Sequence, residues 1–291
     1  MPEHTFHFLG GLPRSGSTLL CNILAQNPRV HATQTSACMD VMFGVRNNWD
    51  KLIEHKAHPM PQAKQRVLRG ILKSYYADVS RPVVIDKCRG WVSLLEMAEL
   101  ALDRPAKIII PVRDLRDVLA SFERLWREQA ASGQINGESE NYFRFQTTEG
   151  RIAHWMRDDQ PVGLAYNRIR DAVTRFQNQD LLDRLHFVPF ERLTTDPTGA
   201  LTDLYRFLGE PVFEHDFEQI EQVTTEDDSV FGFQDLHTIR GKVEPIAPRW
   251  PEVLGDVAQR YGGLNFWRPI VQEQIQRFTP APTDRQAPIR A

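Results

Sequence analysis

Apolar positions in this chain fall into short continuous runs separated by helically spaced ones, the signature of strands alternating with helices. The first run, Thr5–Leu9, enters a glycine-rich turn, and Leu19, Leu20, Ile23 and Leu24 then repeat at helical spacing to about Gln26. Asn27-Pro28 ends that helix, because proline disfavours helical geometry in the residue before it. A short strand is predicted at Val30-His31-Ala32, followed by polar Thr33 to Ser36. Asp40 to Val79 reads as mostly helical, broken at His58-Pro59-Met60-Pro61.

Two further strands are compact. Arg81 to Lys87 opens on Pro82 and carries Val83-Val84-Ile85, and Lys107 to Arg113 carries three consecutive isoleucines. Runs of this kind are buried on both faces of a parallel sheet. Helices are predicted at Leu94–Leu102, at Asp114 to about Gln129, at 161–178 and from Asp196-Pro197 to Gly209. Another strand is predicted at His186–Phe190. Residues 130–150 read as a long surface loop or lid and 214–228 as an acidic stretch. Residues 229–249 read as a loop, 251–261 as a helix and 275–291 as a polar tail. No repeat or linker divides the chain, so the expectation is one doubly wound α/β domain over residues 1–291, with its ligand at the carboxyl ends of the strands.

The sequence has 291 residues, a formal net charge of -3 and 41% hydrophobic residues. Bulk charge gives no support to a nucleic-acid partner, so any positive field has to be local. Cys21, Cys38 and Cys88 are too scattered for a disulfide framework, and no metal-ligand spacing appears. No window reaches membrane-spanning length. The expectation is a soluble, cytoplasmic protein without a metal. The sequence leaves the oligomeric state open, a homodimer included.

The candidate chemistry begins in the first turn. Gly11-x-x-x-x-Gly16-Ser17-Thr18 has the spacing of a nucleotide P-loop but lacks its lysine, and Arg14 stands inside it. A helix N-terminus there presents unpaired N–H groups and the positive end of the dipole to an anion. Arg14 adds a planar fork matched to phosphate oxygens, and Ser15, Gly16, Ser17 and Thr18 complete the candidate binding loop. The bland alternative is a strand-to-helix turn capped by serine. Arg113 at a strand end and Ser121 two turns on form a second constellation, suited to another phosphate. By itself that pair equally describes an arginine bound to Asp117 and a buried serine.

Together these segments carry a resemblance. Leu12 to Leu19 resembles the 5′-phosphosulfate loop of sulfotransferases that use 3′-phosphoadenosine 5′-phosphosulfate (PAPS). Val112 to Phe122 resembles that family's 3′-phosphate motif, and Phe190 to Gly209 is similar to its downstream strand-and-helix signature. The three occur in order between residues 5 and 211. The resemblance implies an α/β fold with a single P-loop-like domain whose central parallel β-sheet is flanked by helices. It implies sulfonate transfer from PAPS to a hydroxyl, leaving adenosine 3′,5′-bisphosphate (PAP), without a metal. Arg113 and Ser121 would grip the 3′-phosphate. Lys87 matches a catalytic lysine that neutralises the leaving phosphate, with Arg14 assisting. Arg240 and Lys242 resemble a C-terminal loop that closes over the nucleotide.

The nearest branch in flavour is that of the protein-tyrosine sulfotransferases, in which a glutamate after the first helix is the base. The matching positions here are Gln34 and Thr35. His31, Asp40 and Asp86 are the substitutes weighed, with Asp40 nearest in sequence. The expected acceptor is a small-molecule or peptide hydroxyl: a phenol, a sugar, a lipid-like alcohol or a tyrosine. The alternatives are a kinase with an altered P-loop and a nucleotide-binding protein that has lost catalysis.

Overall fold

The continuous apolar runs become the middle of one sheet. In the computed structural model, which describes residues 3–133, 145–177, 180–231 and 235–278, five parallel strands stand in the order β2-β3-β1-β4-β5. They are β1 (Thr5–Leu9), β2 (Val30–Thr35), β3 (Val83–Lys87), β4 (Ile108–Val112) and β5 (Leu185–Pro189). β3 and β4 flank β1 and are buried along their whole length. This is why they carry no polar alternation. From β1 the chain builds β2 and β3 on one side, then crosses to β4 and β5 on the other. The carboxyl end of β1 is therefore the topological switch point, where a crevice opens in sheets of this kind.

Alternation along each strand divides the core in two. Phe6, Phe8, Val84, Ile108 and Ile110 face one layer, and Leu9, Ile85 and Ile109 face the other. The first layer packs on α4 (Pro61–Tyr75), α5 (Leu95–Leu102), α6 (Leu115–Ala131) and α8 (Pro161–Phe176) through Leu68, Leu72, Ala98, Val118 and Ile169. The second packs on α1 (Ser17–Ala25) and α11 (Pro197–Leu208) through Leu20, Ile23, Leu201 and Leu204. The remaining helices among the described residues are α2 (Cys38–Trp49), α3 (Ile53–Ala57), α7 (Thr148–Trp155), α9 (Leu181–Arg184), α10 (Phe190–Thr195), α12 (Trp250–Leu254) and α13 (Trp267–Phe278).

Three departures from the sequence expectations have physical causes. β2 runs on to Thr35 through polar residues, because backbone pairing with β3 continues there. Thr35 stands opposite Lys87, Ser36 N–H donates to the Lys87 carbonyl at 2.9 Å, and Thr33 Oγ1 accepts from Lys87 N–H at 2.9 Å. The predicted helix at 251–261 is instead the short α12 followed by a 3-10 turn at Gly255–Leu264. The predicted polar tail begins inside α13, whose buried Gln274 accepts from Phe187 N–H at 2.8 Å and donates to its carbonyl at 2.9 Å. A polar side chain thus closes the exposed edge of β5. Within the predicted loop at 130–150, α6 extends to Ala131 and α7 starts at Thr148, and 134–144 lies outside the described residues. So does 279–291.

The turn after β1 is tightly fitted. Leu12 N–H donates to the Pro111 carbonyl at 3.0 Å, and a Cβ on Gly11 would stand 2.2 Å from that oxygen. Gly11→Ala is expected to cost about 3 kcal/mol by forcing β1 and β4 apart, read as a shift in the urea midpoint.

His7 and His186 are buried and neutral. Burial, then the charges of Arg104 and Lys107, brings His7 down to about 3, and burial followed by Arg192 does the same for His186. The unfolded chain protonates both below their ordinary 6.5 while the folded chain does not. Stability therefore falls as pH drops from 6.5 toward 3, by about 2 kcal/mol per histidine at pH 5. Urea titrations at pH 8 and pH 5 check the fall, and His7→Leu should flatten its share.

Candidate active site

Residues 10–16 leave β1 at the switch point and deliver the chain into α1. Gly16 takes the left-handed conformation (φ 83°) and starts the helix without a side-chain cap, and the first turn holds no acidic residue. Its first N–H groups are therefore left without a capping side chain and without a carboxylate in their own turn. Gly16, Ser17, Thr18 and Leu19 line a cavity of about 780 Å³. Ser15 does not line it. Its buried hydroxyl donates to the carbonyls of Leu12 at 2.6 Å and Pro111 at 3.0 Å, so it pins the loop to β4.

Arg14, also left-handed (φ 58°), turns its guanidinium across the opening. Nε donates to Ser121 Oγ at 3.1 Å, and Nη1 donates to the Leu236 carbonyl. This one side chain ties the loop to α6 and to the segment after residue 235. Arg113, at the end of β4, lies 4.6 Å from the centre of the Phe190 ring, and its Nη1 reaches the Arg14 carbonyl at 3.5 Å. Arg14, Arg113 and Ser121 thus converge on one cavity, with Ser121 held by Arg14 rather than by Arg113. Asp117 makes no pair with Arg113. It accepts the backbone N–H groups of Arg249 at 2.8 Å and Trp250 at 3.2 Å, anchoring the chain that leads into α12.

Burial lowers both arginines below their ordinary value, helped at Arg14 by the charges of Arg124 and Arg113. The lining of the cavity carries more basic than acidic side chains. Arg89, Arg124 and Arg249 add to it and were not singled out from the sequence. Arg89 is exposed to the cavity, with no hydrogen bond or ion pair among the described residues. Arg240 and Lys242 also line the cavity, but their charged ends pair near the surface, with Glu244 at 3.5 Å and Glu218 at 2.5 Å. They form its rim.

Lys87 ends β3 opposite Leu9. Its side chain is only 9% exposed, and its ammonium donates to Glu226 Oε1 at 2.9 Å and Thr18 Oγ1 at 3.4 Å. It stands behind Thr18, one residue in from the cavity wall. Glu226 also accepts the Thr35 N–H at 3.0 Å, and its Oε2 lies 3.6 Å from His237 Nδ1. His237 Nδ1 shares a 2.5 Å hydrogen bond with Asp228, whose other oxygen accepts the His237 N–H. A second opening of about 370 Å³, lined by Glu226, Asp228, Ser229 and Gln222, shares Asp235, His237 and Thr238 with the first.

The bases weighed from sequence lie elsewhere. Asp86 points to the opposite sheet face from Lys87, as successive strand residues do. It accepts from the Tyr76 hydroxyl and from Trp91 Nε1 at 2.7 Å, and burial raises its pKa despite those bonds. Asp40 is exposed on α2 and His31 sits partly buried on β2, and neither lines either of these two openings. In the sequence Glu226 is one acid of the acidic stretch at 214–228. Nothing local marks it, because its partner is 139 residues away. Among the described residues no cluster of histidine, cysteine and carboxylate side chains could hold a metal ion.

A family model described as sulfotransferase family matches residues 7–215. Among solved structures, mouse sulfotransferase SULT7A1 complexed with PAP superposes with a TM-score of 0.51 at 13% identity, over 96% of this chain and 91% of that one. The sulfotransferase domain from the curacin biosynthetic pathway gives 0.47 at 19% identity, over 95% and 96%. A sulfotransferase from Alicyclobacillus acidocaldarius gives 0.46 at 15% identity, over 79% and 89%. The mouse likeness is one of fold. No curated protein matches the sequence significantly.

The loop makes a prediction independent of any substrate. Inorganic pyrophosphate should raise the melting temperature by binding the folded state alone. Arg14→Ala should weaken that binding about tenfold, the cost of lost charge-assisted hydrogen bonds, read from the concentration dependence of the shift.

Proposed function

This chain belongs to the sulfotransferase family, and we propose that it transfers a sulfonate group from PAPS to a hydroxyl acceptor. The observation that carries the reading is the single cavity faced by the α1 N-terminus, Arg14, Arg113 and Ser121. An anion-binding loop on one side and a strand-end arginine on the other suit a nucleotide charged at both ends. The cavity's size and its excess of arginine fit PAPS as a substrate. In this reading the loop N–H groups, Gly16, Ser17, Thr18 and Arg14 take the 5′-phosphosulfate. Arg113 and Ser121 take the 3′-phosphate, and Arg240 and Lys242 cover the rim.

The chemistry asks for little beyond position and charge. Sulfonate moves in line between two oxygens, so barrier lowering comes from alignment and from fixed positive groups where negative charge develops. Lys87 is the group for the leaving oxygen, supported by its place against Thr18 at the loop. A lysine buried at a strand end has little freedom to lose on reaction. We further read residues 1–291 as one domain working in the cytoplasm. The buried, unpaired Cys21, Cys38 and Cys88 support a reducing setting.

Calorimetric titration tests the nucleotide. PAP is expected to bind at least a hundredfold tighter than ATP with magnesium, and Arg113→Ala or Ser121→Ala to weaken PAP about tenfold. Tight ATP binding without PAP binding would sink the reading. Lys87→Ala should lower turnover of labelled PAPS about a hundredfold or more while PAP affinity stays within threefold. A panel of phenols, sugars, alcohols and tyrosine peptides then identifies the acceptor class.

A further inference from the structure

Resting on that reading, we propose that Glu226 is the general base that takes the proton from the acceptor hydroxyl. An oxygen nucleophile that attacks sulfur has to lose its proton to a group within hydrogen-bond reach. The chain after α1 offers no such group beside Lys87, since Gln34 and Thr35 carry none. What Thr35 does offer is its backbone N–H, and Glu226 occupies it at 3.0 Å. A carboxylate from a remote segment is thereby held at the end of β2, within 2.9 Å of the Lys87 ammonium.

The two oxygens of Glu226 have different surroundings. Oε1 accepts from Lys87 and from Thr35 N–H, which fixes the carboxylate's orientation. Oε2 is 3.6 Å from His237 Nδ1, beyond hydrogen-bond distance. Glu226 also lines the second opening, which adjoins the nucleotide cavity through Asp235, His237 and Thr238, so an acceptor entering there meets the carboxylate next to that cavity. Asp228 is a poorer choice, since both of its oxygens already hold His237.

The step balances. The acceptor O–H bond breaks and its proton passes to Glu226 Oε2, while the acceptor oxygen forms a bond to sulfur. The sulfur–oxygen bond to the 5′-phosphate breaks, and its electron pair remains on that phosphate oxygen, which Lys87 stabilises. PAP leaves, and Glu226 returns its proton to solvent.

The groups facing Glu226 set its titration. Lys87 comes from β3 and Arg89 from the turn after it, Cys21 from α1, and His237 and Asp228 from its own side of the site. Burial raises its pKa, but the charge and hydrogen bond of Lys87, with the Thr35 bonds, outweigh that and leave it below the ordinary value. It is ionised at neutral pH and ready to accept a proton. Turnover should therefore fall on acidification as Glu226 protonates.

The test follows PAP formation from PAPS, with the best acceptor of the panel and with water alone. Glu226→Gln is expected to reduce turnover about a hundredfold or more, abolish the acid limb of the pH profile, and leave PAP affinity unchanged or tighter. In Glu226→Ala, added formate should restore turnover at least tenfold, and should fail to do so in Lys87→Ala. Turnover in Glu226→Gln within threefold of wild type, a retained acid limb, or increased turnover (a carboxylate that merely blocks Lys87) would overturn the assignment. So would a wild-type chain that binds PAP yet forms none from PAPS. Loss of PAP binding in the folded wild type would instead refute the sulfotransferase reading itself, and calorimetry reports that separately.

Discussion

Everything at this site depends on one electrostatic constraint: several cations are held at the carboxyl ends of parallel strands with little water to screen them. Charges taken from water repel one another and lose hydration. Arg14 meets this by donating to Ser121 and to the Leu236 carbonyl, and Arg113 by lying on the Phe190 ring. Lys87 alone among them has a carboxylate partner, Glu226. The sheet supplies the rigidity that keeps these groups from relaxing apart. Because β1 lies between β3 and β4, the glycine loop, Lys87 and Arg113 leave three adjacent strand ends.

Arg14 also explains how distant parts of the chain form one wall. The loop, α6 and the segment after residue 235 are joined through a single guanidinium. A lysine at this position would offer a point charge and no planar fork to span a hydroxyl and a carbonyl at once. The absent P-loop lysine therefore goes with a different way of closing the site.

Much of the fold was legible because its signals are local. Val83-Val84-Ile85 and Ile108-Ile109-Ile110 have to be buried, and the glycines around Arg14 have to turn the chain. What was illegible depends on pairing across the chain. β2 continues through Thr33, Gln34 and Thr35 only because β3 lies beside it. Gln274 looks like a solvated residue until the edge of β5 is found to need it. Glu226 sits among acids that look alike in sequence, and only the folded chain shows which one meets Lys87. Ser15 misled in the other direction, since its hydroxyl bonds the loop's own backbone and its spacing is that of a ligand.

Phe190 has a role that follows from where its ring stands. Its edge stands 2.6 Å from where a Cβ on Gly16 would be, and its face carries the Arg113 guanidinium. The same flat, incompressible ring thus stands between the start of α1 and the Arg113 guanidinium. It acts as a caliper, setting how far apart the start of the helix and the guanidinium stand. An apolar ring with no charge of its own thus sets the spacing of two charged features of the site.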